Sequence, residues 1–374
     1  MLLDIVNVIY CLTLLLIIHK YYNISFLYMF LLMLHLFAIF IFNGFLFEPS
    51  YMPDQFRYLE IAKDIRIFNV EEIILHPKNN VFFSGLFFGL FPIPFIESVY
   101  SLGMINYLLF VYVFVFMHKR NYLNSKFITY FYLFFPSLLL YSSLALRDML
   151  VFCILFLGIY YLIFTKSYVQ GIFLFVVLYF IKFQNLIFVM IAFVMSIIKI
   201  KRINFSKLLL IILTISLLIF LFSNFLAIEK LNFYRWAFYN ENLGKSSELF
   251  VPILSYTDLL IHFIPSSLNF LFRPLPWEEF GILQLVQFVE NIFLGIIIFV
   301  IITQNYKYKL WMLSEVKFLN FFLFLSLIVY GLVIYNSGTA VRYKFPFIAV
   351  YIIYSWYFIY QAKQLLKKSD ICAE

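Results

Sequence analysis

Apolar runs of roughly 17 to 25 residues recur along the whole chain, and that repetition leaves one class of fold open. A helical run of this length crosses the hydrocarbon of a bilayer and satisfies its backbone polar groups internally, as a membrane interior requires. The runs fall at 2–18, 24–46, 98–117, 127–145, 149–165, 169–182, 186–199, 208–226, 281–302, 318–335 and 346–361. They predict an all-α polytopic membrane bundle, one domain over 1–374 with about eleven transmembrane helices. Hydrophobic residues make up 65% of the chain and charged residues 12%, which excludes a soluble globular fold. The first run, Leu2 to Ile18, carries Asp4 near its start and has no small-residue cleavage site behind it, so it reads as a retained helix. Cys11, Cys153 and Cys372 are scattered, which implies neither a disulfide framework nor a metal site.

The net charge of +8 does not point to nucleic acid, because the basic residues sit in short loops between apolar runs. Lys20, His118-Lys119-Arg120, Lys126, Lys166, Lys199, Lys201, Arg202, Lys207, Lys307, Lys309, Lys317 and the tail lysines Lys363, Lys367 and Lys368 all fall on one side. By the positive-inside rule that side is cytoplasmic, with the N terminus external and the C terminus internal. The parity depends on Val81 to Phe95, which is short and broken by Gly85, Gly89, Pro92 and Pro94, and so is read as re-entrant or interfacial. Two external loops are long, 47–80 and 227–280. Loops of that length are functional or disordered, and the aromatics of Tyr234-Arg-Trp-Ala-Phe-Tyr239 argue against disorder in the second.

Charge within the first loop is spaced rather than clustered. Tyr51-Met-Pro-Asp-Gln-Phe-Arg-Tyr-Leu-Glu-Ile-Ala-Lys-Asp-Ile65, read as a helix entered at Pro53, puts Asp54, Arg57, Tyr58, Ile61 and Ile65 on one stripe. A carboxylate, a guanidinium and a phenol then point the same way. The same spacing also fits an amphipathic helix on the membrane surface with a solvated charged face.

Ionisable groups at the external ends of spans form the rest of the candidate set, since charge at membrane depth is costly and tends to line sites. Arg147-Asp148 sits at a tight hairpin between two apolar runs, where Arg147 either faces a site or snorkels to the interface. Lys182 stands at a similar hairpin and reads better as a snorkelling residue. Arg273 lies between Phe270 and the prolines of Arg273-Pro-Leu-Pro-Trp277, and Glu290 stands inside an apolar span, where it needs a cationic partner. Asn336-Ser-Gly-Thr-Ala-Val-Arg-Tyr-Lys344 presents Arg342 and Lys344 above the last span, and Lys344 reads as an interface anchor. Arg57, Arg147, Arg273 and Arg342 come from four external segments. Arginines converging on one cavity bind phosphate or carboxylate bidentately, and at headgroup depth that anion is a lipid phosphate or diphosphate.

These stretches resemble a known group of enzymes. Pro53-Asp-Gln-Phe-Arg-Tyr58, with Ala62 after it, is similar to the Asp-containing first-loop motif of GT-C type glycosyltransferases, where an acidic residue acts at the acceptor hydroxyl. The Pro136-Ser and Arg147-Asp148 stretch, Arg273-Pro-Leu-Pro-Trp277 with Glu290, and Gly338-Thr-Ala-Val-Arg342 look like those of Wzy-type repeat-unit polymerases of O-antigen or capsule. The paired Asp/Glu-x-Asp signature of metal-using GT-C enzymes is absent, since Gln55 and Phe56 follow Asp54, so no metal and no cofactor are expected. The resemblance implies a GT-C-like bundle in a bacterial inner membrane that transfers a growing glycan from undecaprenyl diphosphate to the hydroxyl of an incoming lipid-linked repeat unit. It implies an undecaprenyl-diphosphate-linked oligosaccharide and membrane lipid as the molecules bound, with a chain-length regulator and a flippase as partners.

In that reaction Asp54 is the base that takes the hydroxyl proton, and Arg147 and Arg342, then Arg273 and Arg57, stabilise the departing diphosphate. Tyr58, Asp148, Glu290 and Lys344 complete the expected substrate-binding set. Tyr58, Tyr234, Trp236 and Trp277 either stack on sugar rings or pack in the membrane belt. Two other activities remain open: a GT-C enzyme that moves one sugar from a polyprenyl phosphate, and a polysaccharide flippase. A flippase needs polar residues along the depth of its helices, and here only Glu290 charges a span centre.

Overall fold

The computed structural model describes residues 2–69, 80–197, 228–240, 250–277, 281–334 and 337–371. Among these the regular structure is helical, with no strand beyond one isolated bridge between Asn43 and Phe47. The chain divides into two compact units, Met1–Phe183 and Gln184–Glu374.

The first unit holds α1 (Leu2–Tyr22), α2 (Phe26–Phe42), α3 (Asp54–Arg66), α4 (Asn80–Leu90), α5 (Val99–Lys119), α6 (Lys126–Phe134), α7 (Pro136–Ser143) and α8 (Asp148–Ile159). It also contains the first half of α9 (Tyr168–Ile197). The second unit adds α10 (Ile228–Asn240), α11 (Tyr256–Phe272), α12 (Ile282–Lys307), α13 (Ser314–Val333) and α14 (Ser337–Ile371).

Among the described residues six helices are long and apolar enough to cross a membrane, or seven if the bent pair α7 and α8 counts as one span. This is a helical membrane protein. Several of the runs do not become separate full spans. Pro136 supplies no amide hydrogen and bars Phe135 from helical geometry, so the run at 127–145 breaks into α6 and α7. The runs at 169–182 and 186–199 join as α9, interrupted where Lys182 leaves helical geometry at φ −156° and ψ 78°. The run at 208–226 lies outside the described residues.

Side chains fix the direction of the helices in the first unit. Ser98 and Ser101, at the start of α5, donate hydroxyl hydrogens to Asp4 Oδ1 at 2.6 and 3.1 Å, and at the other end the His118 ring lies 3.2 Å from the Tyr22 carbonyl. So α1 and α5 run parallel. α2 runs against them, since Phe40 stacks on Tyr100, Tyr107 donates to the Leu32 carbonyl and Tyr28 meets Phe114. The chain therefore leaves α2 and enters α5 at the same end of the bundle. The basic groups of His19-Lys20 and His118-Lys119-Arg120 gather at the opposite end.

α3 and α4 pack side by side in the same direction, Gly85 against Ile61 and Gly89 against Ile65. A Cβ at Gly85 would come within 2.5 Å of Ile61 Cγ2, so glycine is what permits the approach. Arg66 closes the pair: its Nε donates to the Gly89 carbonyl at 2.6 Å and its Nη2 to those of Phe91 and Ile93 at 2.6 and 2.9 Å.

In the second unit α13 packs between α11 and α14. Gly331 meets the Ser266 backbone, where a Cβ would stand 2.5 Å from the carbonyl oxygen. Residues 250–255, just before α11, are held by α10, whose Arg235 donates to the carbonyls of Leu332 and Val251 at 2.6 and 2.9 Å. Asn232 pairs both ways with the Ile253 backbone. Leu231, Ile253, Ile328, Leu332 and Val333 form the apolar core beneath.

Candidate functional site

Helix α7 rises from α6, which starts at Lys126 on the basic side, and α8 returns toward Arg120, whose guanidinium lies 5.4 Å from the Tyr160 ring. Between them the chain turns through 116° at residues 144–147. Irregular backbone at membrane depth persists only where protein satisfies it. Here three side-chain amides do so. Asn43 donates to the Ser143 carbonyl at 3.1 Å, Asn106 donates to Leu144 and Leu146 at 2.6 Å each, and Gln55 Oε1 accepts the Ala145 amide hydrogen at 2.8 Å. Gly103 lets the Ser143 carbonyl press against α5, where a Cβ would stand 2.7 Å from it. Gly103 and Asn106 place the bend roughly 6–10 Å inside the non-basic end of α5.

The bend delivers Arg147 and Asp148 to the break in α9. Lys182 Nζ stands 3.9 Å from Asp148 Oδ1, and Arg147 Nη1 donates to the Ile181 carbonyl at 3.4 Å. Lys182 is therefore no snorkelling residue; it is 3% exposed and Asp148 1%. No proline or glycine forces the break, which these contacts instead support from across the unit. Arg147 has donors to spare: its Nε is buried and, among the described residues, has no hydrogen-bond partner. The Gln55 bond sets the first turn of α3 against the bend, so Asp54, half-buried, begins its helix beside the backbone that carries Arg147.

The stripe expected on α3 is split. Gln55, Tyr58 and Ala62 form its buried face, Arg57 is exposed, and Tyr58 is sealed against Phe88, with no phenol left to offer a sugar.

A second charged cluster lies in the second unit at the end of α11. Lys344 is 2% exposed, and its ammonium donates to the carbonyls of Phe270, Leu271 and Arg273 at 3.3, 2.8 and 2.6 Å. Asn291 donates to Phe272 and Arg273, and Glu290, buried on the same helix, acts on the Lys344 charge. Lys344 is thus a cap on the negative end of a helix, not an interface anchor, and each of its three donors has an acceptor. Arg273 is buried in this cluster, while Arg342 is half-buried two residues before Lys344. Trp277, Trp236 and Tyr234 are exposed, and Glu279 lies outside the described residues.

A rule runs through both units. Arg66, Arg147, Arg235 and Lys344 each donate to carbonyls at or near the end of a helical segment. Sequence reading missed Arg66, Arg235 and the amides Asn43, Gln55 and Asn106. The signal available was a long polar side chain near an apolar run that ends without a glycine cap. Among the described residues no group of three or more His, Cys, Asp or Glu is placed to hold a metal. No protein family, curated protein or solved structure matches the chain.

Proposed function

We propose that this chain is a GT-C-like membrane glycosyltransferase of the Wzy type, with about eleven spans, that polymerises lipid-linked oligosaccharide repeat units. It works at the outer face of a bacterial cytoplasmic membrane, the face opposite the basic loops by the positive-inside rule. The observation that carries this reading is Arg147, whose buried Nε has no hydrogen-bond partner among the described residues and which stands on the bend that Gln55 ties to the helix beginning at Asp54. Arg235 shares the orphaned Nε, but both of its Nη groups are spent on carbonyls. A buried guanidinium donor in want of a partner suits a planar or tetrahedral anion, and the departing diphosphate is one.

Asp54, at the start of α3, takes the proton from the acceptor hydroxyl as that oxygen attacks the anomeric carbon. The bond from that carbon to the diphosphate oxygen breaks, the electron pair leaves with the diphosphate, and Arg147 stabilises the charge in a water-poor setting. Lys182 and Asp148 hold Arg147 at the break in α9. The reaction uses two lipid-linked substrates, and the second unit's Arg273 and Arg342 are assigned to the second anionic headgroup.

The buried Asp148–Lys182 pair, set where two helices break, also favours a second reading, a lipid-glycan transporter, because discontinuous helices with internal charge form transporter sites. Purified protein in lipid vesicles, supplied with undecaprenyl-diphosphate repeat units, separates the activities. A ladder of chain lengths supports polymerisation, and addition of one sugar supports the simpler GT-C transfer. Movement of the lipid between leaflets with no new glycosidic bond supports transport and overturns the polymerase.

A further inference from the structure

The residue after Asp54 does something the reaction scheme leaves unexplained. Gln55 is 1% exposed on a helix whose outer face is charged, and its amide spends its oxygen on a single backbone N–H, that of Ala145, two residues before Arg147. Asn43 and Asn106 hold the carbonyls on either side, so four successive residues, 143–146, are gripped by three side-chain amides, Asn106 taking two of them. Leu144, Ala145 and Leu146 are fully buried, so water does not replace a lost bond there. Asn43, just past the end of α2, and Asn106 of α5 belong to the frame of the unit, but Gln55 belongs to α3, the helix that starts at Asp54. Of the three, Gln55 is the one that ties the bend to the element carrying the base.

We propose that Gln55 is a positioning residue for glycosyl transfer: its hydrogen bond to Ala145 sets the distance between the carboxylate of Asp54 and the guanidinium of Arg147. This rests on the reading of Arg147 as the stabiliser of the departing diphosphate. A displacement of about 1 Å between base and anion site is enough to cost a large factor in rate while substrate still binds, because the loss falls on the transition state.

The test compares Gln55→Met, which keeps the length and removes the acceptor, with Gln55→Glu, whose carboxyl keeps an accepting oxygen. In full-length protein in lipid vesicles, Gln55→Met is expected to lower kcat for polymerisation at least tenfold with KM within threefold, and Gln55→Glu to recover most of it. Hydrogen exchange at residues 143–147 should quicken at least tenfold in the methionine variant and stay slow in the glutamate variant. Should Gln55→Met fail to accumulate, Asn43→Leu releases the same bend through its 3.1 Å bond to Ser143 and carries the same expectation. Wild-type kcat in a folded Gln55→Met protein, or equal loss in both Gln55 variants, overturns the proposal. If wild-type protein makes no polymer, the reading of the reaction fails and the positioning role falls with it. Exchange at Ala145 still reports separately whether the clamp exists.

Discussion

Lys182 Nζ stands 3.9 Å from Asp148 Oδ1, and both side chains are buried. Removing one partner of such a pair strands a charge, whereas removing both leaves two uncharged groups of similar size. Asp148→Asn and Lys182→Met are each expected to cost about 3 kcal/mol or more, and the double variant to recover most of it. Thermal unfolding of the three proteins in one detergent checks this, and an additive double variant would mean the pair is not coupled.

Two glycines that look alike in sequence are expected to respond differently. An added methyl at Gly85 meets the Ile61 side chain, while one at Gly103 meets the backbone carbonyl of Ser143 at 2.7 Å. Gly85→Ala should destabilise by about 1–3 kcal/mol and be relieved by Ile61→Ala, because a side chain has been cut back to make room. At Gly103 the Ile39 side chain, 2.9 Å from the added methyl, could be shortened too, but the carbonyl of Ser143 could not, so Gly103→Ala has no full relief. It is expected to shift the bend and lose polymerisation, read by glycan length on a gel.

Arg66 and Arg57 lie on the same helix and are both exposed, yet only Arg66 is bound to carbonyls, three of them. Arg66→Ala should lower stability by about 1–2 kcal/mol, discounted for solvent access. Arg57→Ala should leave the unfolding midpoint unchanged and act, if at all, on turnover. Equal shifts in the two midpoints would show that the α3–α4 pair does not depend on its guanidinium clasp.

For the chemistry, Asp54→Asn is expected to abolish polymer while the protein inserts and accumulates normally, and full activity would remove the assigned base. Arg147→Ala and Arg342→Ala are expected to weaken binding of a lipid diphosphate, each at least tenfold. Farnesyl diphosphate titrated into detergent-solubilised protein measures it, and unchanged affinity in both would remove the diphosphate role from the two arginines.

The class of fold was legible because hydrophobic run length is a one-dimensional property. Direction and partnership were not. Arg147, Arg235 and Lys344 look alike as cations beside apolar runs, but only coordinates show which carbonyl each meets, since the acceptors lie 34, 97 and 71 to 74 residues away in sequence. The stripe on α3 failed for a related reason. A helical wheel places Tyr58 near Arg57, but the buried face was chosen by Gly85 and Gly89 of α4, which draw Ile61 and Ile65 inward and take Tyr58 with them.

A peptide oxygen keeps its partial charge in acid and in brine alike. A joint made by a guanidinium resting on such oxygens, as at buried Arg235, loses little as mobile ions accumulate. The second unit is thus fastened in part by bonds that brine hardly reaches, whereas the first leans as well on the carboxylates of Asp4 and Asp148 and so gives the surrounding medium a hold on its frame.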